Sequence, residues 1–160
     1  YLAINNPQGS NEWQDVNRMI DVVLAELRTR IDAAGGRVEV AEDLPAVYMD
    51  RERLRQLFRT LIGNAVAHRD EAKAPIIRID GEREDGCIRY RIGDNGPGIP
   101  PELRERALRI FERLRHDGEG TGIGLPLARQ IAESLGGTLT LETSEMGGLG
   151  VIVELPVKGS

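Results

Sequence analysis

Several residue types that particular protein classes require are scarce or absent in this sequence. Its 160 residues include a single cysteine, Cys87, which excludes an internal disulfide and a zinc site built from cysteines. Neither a signal peptide nor an apolar run of transmembrane length is present. Aromatic residues make up only 4%, so the core has to be built from Leu, Ile, Val and Ala. These absences favour a cytoplasmic domain that folds without disulfides.

Positive charge is also in short supply. The 21 Lys and Arg residues are outnumbered by 26 Asp and Glu residues, which gives a net charge of −5. A negative surface repels nucleic acid and anionic membranes, so neither is an expected partner. The chain starts at Tyr1 without an initiator methionine, so we expect a fragment of a longer protein that could itself be membrane-bound.

The spacing of apolar residues predicts an α+β domain over residues 15–157, between a linker at 1–14 and a tail at 158–160. The predicted elements are a helix from Asp15 to Ile31, strands at 37–40 and 46–50, a helix capped by Asp50, a hairpin formed by "PIIRID" and "GCIRYRIG", a short helix near 101–110, a helix from about Gly124 to Leu135, and a last hairpin formed by "TLTLE" and "VIVELP". Because hairpins dominate, we expect a two-layer α/β sandwich. Its sheet would be mostly antiparallel, with the helices on one face.

The stretch "GEGTGIGLPLARQ", residues 118–130, places four glycines in seven positions just before a predicted helix. Its spacing does not fit the G-x-G-x-x-G dinucleotide fingerprint. The Walker A motif is excluded as well, because neither of the two lysines follows a glycine. The remaining interpretations are a loop whose free amides bind an anion at a helix N-terminus near Gly124, or a plain surface loop.

Asp94 stands where an alternating strand ends, in "GDNGPGIP" at residues 93–100. A carboxylate there can accept a hydrogen bond from an exocyclic amine, which adenine carries and guanine lacks at the same position. Gly96 and Gly98 would let the backbone lie against a flat base. The alternative is an Asx turn between a strand and a helix.

Thr60, Asn64 and His68 are four residues apart and therefore share one face of the predicted second helix. This face borders the apolar stripe of the helix. The amide oxygen of Asn64 is a suitable ligand for Mg²⁺, which takes oxygen donors and retains waters and substrate phosphates. A buried amide with satisfied hydrogen bonds is the other interpretation.

Four stretches together resemble a known family. "LRQLFRTLIGNAVAH", "DNGPGIP", "FERL" and "GTGIGLPLARQIAESLGG" are similar, in this order, to the N, G1, F and G2 boxes of the ATP-binding catalytic domain of sensor histidine kinases. The similarity extends from about Val16 to Pro156, and the wording of the last two boxes favours the phytochrome-like branch. The resemblance implies the Bergerat ATP-binding fold that is shared with gyrase, Hsp90 and MutL ATPases.

The resemblance also implies roles for individual residues. The residues that would bind ATP are Asn64, His68, Asp94, Gly96, Gly98, Ile99, Gly120, Thr121, Gly122, Ile123, Gly124 and Leu125. Among them, Asn64 would coordinate Mg²⁺, His68 would lie beside the adenine or ribose, and Asp94 would select adenine. Arg113 and Arg115 would contact the γ-phosphate through their forked donors, or would be solvated charges in the lid between the boxes.

Some positions depart from the family pattern. Thr60 stands where the hydrolytic relatives have Glu, and a hydroxyl cannot act as a general base near neutral pH, which argues against an independent ATP hydrolase. Ala67 stands where many kinases have a phosphate-binding Lys, and Gly150 where a Thr or Ser often lies near the base. These departures keep open a degenerate nucleotide-binding or protein-interaction module.

The phosphoacceptor histidine that such a kinase needs is missing. The sequence has two histidines; His68 belongs to the nucleotide box and His116 lies in the glycine-rich lid. The resemblance therefore implies a separate phosphoacceptor domain in the same kinase and a downstream response regulator as partners. The parent kinase is expected to be a homodimer and the isolated domain a monomer.

Overall fold

The computed structural model of the protein describes residues 10–109 and 124–158, which form an α+β sandwich. The helices are α1 (Val16–Glu26), α2 (Arg28–Ala33), α3 (Arg51–Ala67), α4 (Arg104–Ala107) and α5 (Gly124–Ser134), with a 3-10 turn at Pro101–Leu103. The strands are β1 (Asn11–Gln14), β2 (Arg37–Val40), β3 (Val47–Asp50), β4 (Ile76–Glu84), β5 (Cys87–Asp94), β6 (Thr138–Thr143) and β7 (Leu149–Pro156).

The larger sheet has the strand order β2-β4-β5-β7-β6. Only the edge pair β2 and β4 is parallel among the described strands of this sheet; its other pairs are antiparallel. The β4–β5 hairpin turns through Asp85 and Gly86, both with positive φ, as expected for a tight two-residue turn. The prediction of a mixed, mostly antiparallel sheet is confirmed.

One face of this sheet is apolar and the other is charged. Along β5, the side chains of Ile88, Tyr90 and Ile92 are buried, while Arg89 and Arg91 between them form ion pairs on the opposite face. This period-2 alternation is what directs one face towards the helices. The helices therefore cover a single face, as predicted.

Helix α3 is the central helix of the covering layer. Its N-cap is Asp50, whose carboxylate accepts a hydrogen bond from the Arg53 amide at 3.0 Å, as the sequence predicted. The ring of Phe58 meets the buried ring of Tyr90 edge-on, with centroids 5.4 Å apart. This contact fixes α3 over β5, and so places the end of α3 beside the end of that strand.

The structure differs from the sequence prediction at both ends of the first helix. Asn11–Gln14, which were expected in a linker, form strand β1 and pair with β3 in a separate two-stranded sheet. The paired residues of β3 lie 33 or more positions further along the chain, so a local sequence pattern could not predict this pairing. The helix predicted from Asp15 to Ile31 is interrupted at Leu27, although Leu27 and Ile31 are both buried as the pattern requires.

The short helix predicted near 101–110 is a 3-10 turn followed by the one-turn helix α4. Over residues 10–109 and 124–158, no helix combines the length and hydrophobicity needed to cross a membrane.

Candidate functional site

A cavity of about 220 Å³ opens where the end of β5 meets the C-terminal end of α3 and the start of α5. Its lining residues are Asn64, His68, Asp94, Pro97, Gly98, Ile99, Leu125 and Leu149. Six of these are residues that the sequence predicted for nucleotide binding, brought together from three separate stretches of the chain. The cavity is therefore the candidate site.

The carboxylate of Asp94 is held by two backbone amides. Its Oδ1 atom accepts hydrogen bonds from the amides of Gly96 at 2.9 Å and Leu149 at 3.0 Å. Burial raises the pKa of Asp94, although these two hydrogen bonds and the nearby His68 act in the opposite direction. Oδ2 has no hydrogen-bond partner in the described part of the chain. One oxygen thus orients the group, and the other remains available to accept a hydrogen bond from a ligand.

The turn between β6 and β7, residues 144–148 (the hairpin turn), closes behind Asp94. The Ser144 hydroxyl donates to the Asp94 main-chain oxygen at 2.6 Å. Gly148 approaches so closely that a Cβ atom there would lie 2.3 Å from Asp94 Oδ1. Sequence reasoning missed both residues; the signal that could have found Gly148 is the glycine cluster "GGLG" in the last hairpin.

The glycines that follow Asp94 also lie close to the backbone of neighbouring segments. Gly98 has φ +71° and packs against Gly148, whose carbonyl carbon would lie 3.3 Å from a Cβ atom at residue 98. A Cβ atom at Gly96 would lie 3.2 Å from both Asp94 Oδ1 and the His68 main-chain oxygen. Both glycines thus have a packing role within the protein; Gly98 also lines the cavity, whereas Gly96 does not.

Ile99, another predicted site residue, lines the cavity and packs against the core. Its carbonyl accepts a hydrogen bond from Arg104 Nε at 3.0 Å, and Arg104 Nη2 donates to Thr143 Oγ1 at 2.8 Å. Arg104 therefore ties the loop after β5 to the end of β6.

Helix α3 contributes Asn64 and His68 to the opposite side of the cavity. Asn64 Oδ1 faces the first residue of α5, because a Cβ atom at Gly124 would lie 2.7 Å from it. His68 is the C-cap of α3, and its buried Nε2 atom has no hydrogen-bond partner among the described residues. Thr60, one turn before Asn64, does not line the cavity.

Two of the residues that the resemblance assigns to the phosphates can be placed. Gly124 begins α5, and Leu125 lines the cavity. The others, which are Gly120, Thr121, Gly122, Ile123, Arg113 and Arg115, lie outside the described residues.

Gly150 was expected near the base, but the structure places it on the opposite face of the sheet. A Cβ atom at Gly150 would lie 3.0 Å from Glu142 Cγ, and the preceding residue, Leu149, lines the cavity instead. Gly150 is therefore not part of the cavity wall, because successive residues of a strand face opposite sides of the sheet.

The residues present suit a metal that is held mainly by a substrate. Among the described residues there is no cluster of three or more His, Cys, Asp or Glu side chains that could hold an ion by itself. Asn64 offers one neutral oxygen without a hydrogen-bond partner in this part of the chain. A single oxygen ligand fits Mg²⁺, which commonly takes its remaining ligands from phosphates and water.

Relatives in sequence include a phytochrome-like protein and a sensory kinase. The phytochrome-like protein Cph1 of Synechocystis is 33% identical over 159 residues, which cover 98% of this chain and 21% of that protein. The adaptive-response sensory kinase SasA of Nostoc is 39% identical over 140 residues, covering 84% of this chain and 34% of the kinase. The chain thus spans about a third or less of the length of these relatives.

Solved structures agree in fold. The catalytic domain of the histidine kinase ThkA superposes with a TM-score of 0.80 and 28% identity, covering 93% of this chain and 97% of that domain. Full-length ShkA in complex with AMPPNP superposes with a TM-score of 0.77 and 26% identity, covering 94% of this chain and 32% of ShkA.

The sequence profile that matches is described as "Histidine kinase-, DNA gyrase B-, and HSP90-like ATPase", and it aligns with residues 49–159. This match covers more than half of the chain and includes every residue of the cavity. The chain therefore belongs to the family of histidine kinase-, DNA gyrase B- and HSP90-like ATPases.

Proposed function

We propose that this chain binds Mg²⁺–ATP and presents the γ-phosphate to a histidine on a separate dimerisation domain, as the catalytic half of a two-component sensor histidine kinase. The observation that carries the proposal is the difference in hydrogen bonding between the two carboxylate oxygens of Asp94. One carboxylate oxygen accepts two backbone hydrogen bonds, and the other is left without a partner in the described cavity wall. An adenine amine would donate to that second oxygen, and guanine has no amine at this position.

The other end of the cavity suits the phosphates. The N-terminus of α5 lies beside Asn64, and a helix N-terminus attracts anions through its free amides and its dipole. When bound, Mg²⁺ would neutralise phosphate charge, which a domain of net charge −5 requires more than a basic one would. Asn64 would supply one oxygen ligand to that ion.

The phosphoryl transfer requires a partner. A nitrogen of the acceptor imidazole would attack the γ-phosphorus while the bond to the β–γ bridging oxygen breaks and ADP leaves. His68 lines the proposed nucleotide cavity, so we assign the acceptor to another domain of the parent protein. Because such a step depends mainly on positioning and charge stabilisation, a domain that only holds ATP contributes much of the catalysis.

The proposal extends to the organisation of the parent protein. Residues up to 14 would connect to the phosphoacceptor domain, with the catalytic domain proper over residues 15–157 and β1 as the end of the connection. The domain would be cytoplasmic, and the parent would act as a homodimer and would pass the phosphoryl group to a response regulator. Arg113 and Arg115 remain the proposed contacts of the γ-phosphate.

Calorimetric titration with a non-hydrolysable ATP analogue tests the proposal. We expect the adenine analogue to bind more tightly with Mg²⁺ than without it, and the guanine analogue not to bind. Asp94→Ala should weaken binding by about 1.5–3 kcal/mol, the value of a hydrogen bond to a charged group. Asp80→Ala is the matched control, because Asp80 is a carboxylate on the outer face of the same sheet, paired with Arg91.

Absence of binding under every condition would contradict the proposal and favour a degenerate interaction module. Steady phosphate release by the chain alone would indicate a hydrolase instead, which Thr60 opposes because its hydroxyl is no general base. Transfer of phosphate to the isolated acceptor domain of the parent would complete the kinase assignment.

A further inference from the structure

We propose that Ser144 is a positioning residue for Asp94, and that through Asp94 it determines the preference for adenine. The inference rests on the proposed function, because it concerns how the same site selects its base. Ser144 does not line the cavity, so it would act without touching the nucleotide.

The hydroxyl of Ser144 uses its full hydrogen-bonding capacity on three backbone groups. It donates to the Asp94 main-chain oxygen at 2.6 Å, and it accepts from the amides of Met146 and Gly148, each at 3.1 Å. A hydroxyl has one donor and two acceptor positions, so none is left over for a ligand. Its role is to join the hairpin turn to the end of β5.

The hairpin turn also leads directly to the group that orients the carboxylate. Leu149, the residue after the turn, donates its amide to Asp94 Oδ1. Ser144 therefore holds the backbone of residue 94, while the residue that follows the turn holds its side chain. The turn itself is closed by two further hydrogen bonds, from the Ser144 amide to the Gly148 oxygen at 2.9 Å and from the Gly147 amide to the Ser144 oxygen at 3.0 Å.

Gly148 makes this arrangement sensitive to small displacements. A Cβ atom at Gly148 would lie 2.4 Å from the Asp94 oxygen and 2.3 Å from Oδ1, so the two backbones are already in contact. Without the Ser144 hydroxyl, the amides of Met146 and Gly148 and the oxygen of Asp94 would lose their shared partner. The turn would then shift, and the Leu149 amide would no longer fix the rotation of the carboxylate. A carboxylate that must be ordered during binding gives a lower affinity than one that is held in advance.

The test compares two ligands that differ only in the 6-amino group. The probes are a non-hydrolysable ATP analogue and the corresponding purine nucleotide that lacks the amine, titrated by calorimetry with Mg²⁺ present. We expect Ser144→Ala to weaken the adenine analogue about tenfold, the equivalent of roughly one hydrogen bond, and to change the purine analogue by no more than about twofold. In an Asp94→Ala background, Ser144→Ala should have no further effect.

Two control variants separate positioning from general stability. Ser134→Ala also removes a hydroxyl hydrogen bond, the one to the Ile131 oxygen at 2.7 Å, at the end of α5 opposite the cavity. It should leave both affinities unchanged. Ser144→Thr retains the hydroxyl that joins the hairpin turn to residue 94, so this variant should preserve the preference for adenine. If Ser144→Ala fails to fold, Ser144→Cys, of similar size and weaker in hydrogen bonding, takes its place in the same titrations.

Three outcomes would overturn the inference while leaving ATP binding intact. These are an equal loss for both analogues, a loss that persists in the Asp94→Ala background, and an unchanged affinity of Ser144→Ala for the adenine analogue. Failure of the unmodified chain to bind the adenine analogue at all would instead overturn the proposed function, and this inference with it.

Discussion

The two ends of the cavity are built in different ways. At the Asp94 end, polar groups are already engaged with the protein's own backbone, through Gly96, Leu149 and the hairpin turn. At the Asn64 end, the amide oxygen of Asn64 and the Nε2 atom of His68 lack hydrogen-bond partners among the described residues. We infer that the first end is ordered before a nucleotide arrives, whereas under the proposed function the phosphates and their metal would supply partners at the second.

The largest expected effect is at the ordered end, from Gly148→Ala. The added Cβ atom would overlap Asp94 Oδ1 and the backbone of residues 94 and 96, which cannot move away as a flexible side chain could. We expect a loss of about 3 kcal/mol of unfolding free energy in urea titrations, as for overpacking, and no measurable adenine binding.

Gly147→Ala is the matched control for this substitution. Gly147 has φ +89° and open space around its Cβ position, so alanine there meets backbone strain without a collision. Its cost should be about 1–2 kcal/mol, with affinity retained within about twofold. Equal effects of the two variants would contradict the claim that contact with Asp94 is what requires glycine at 148.

The next largest effect is expected from Asp94→Asn, which should change adenine affinity without lowering the unfolding free energy. In Asp94→Asn, the amide oxygen can still accept the hydrogen bonds from Gly96 and Leu149, but a donor replaces the carboxylate oxygen that has no partner among the described residues. Adenine affinity should fall about 10- to 100-fold, while the unfolding free energy at neutral pH stays the same or rises, because no buried charge remains.

Substitution of the neighbouring residue, Asn95, should have the opposite effect: it should lower the unfolding free energy and leave adenine affinity unchanged. Asn95 accepts from the Ile76 amide at 3.0 Å and donates to the Ala74 oxygen at 3.1 Å, and it does not line the cavity. Asn95→Ala should therefore cost about 1–2 kcal/mol of stability with affinity preserved. If Asp94→Asn proved strongly destabilising, the carboxylate would be a structural group instead of a recognition group.

At the other end, Asn64→Ala should remove only the contribution of the metal. We expect affinity without Mg²⁺ to be unchanged, and the gain on adding Mg²⁺ to fall by about tenfold, with little change in stability since the side chain has no hydrogen-bond partner within residues 10–109 and 124–158. Thr60→Ala, one turn earlier on the same helix face, is the control and should bind as the unmodified chain does. A large loss of stability in Asn64→Ala would show that this end is also ordered by the protein alone.

The sequence was sufficient to predict site residues that can be identified from their side-chain chemistry and their position in a local pattern. Asp94 at the end of an alternating strand and Asn64 on the edge of an apolar stripe both line the cavity, and the hairpin pattern was sufficient to predict the sheet. These features are local, because alternation and helical spacing are set by neighbouring residues.

What the sequence could not predict depends on backbone contacts between distant segments. Ser144 donates a hydrogen bond to the main-chain oxygen of a residue 50 positions earlier. Every residue has such an oxygen, so the residue types do not indicate which one is the partner. Strand β1 is recognisable only once β3 is in place beside it. The sequence also did not show that Leu149, and not Gly150, faces the cavity. The pairing of β5 with β7 decides which face of the sheet each of these residues occupies.

The smallest effect we predict is a pH dependence that belongs to Asp94 alone. Burial raises the pKa of Asp94 above its usual 3.8, so the carboxylate becomes protonated at a higher pH than an exposed one would. Because the ionised form is the acceptor, adenine affinity should fall as pH decreases through the raised pKa, by at most about tenfold per pH unit. The stability of the ligand-free chain should depend on pH in the opposite direction. The contribution of this group is present below the usual pKa and is lost as pH rises through the raised one.

Calorimetric titrations at several pH values measure the change in adenine affinity. Asp94→Asn is the reference, because that variant retains His68, which also faces the cavity. A profile of the unmodified chain that coincides with that of Asp94→Asn would mean that the ordered end recognises adenine without its carboxylate charge.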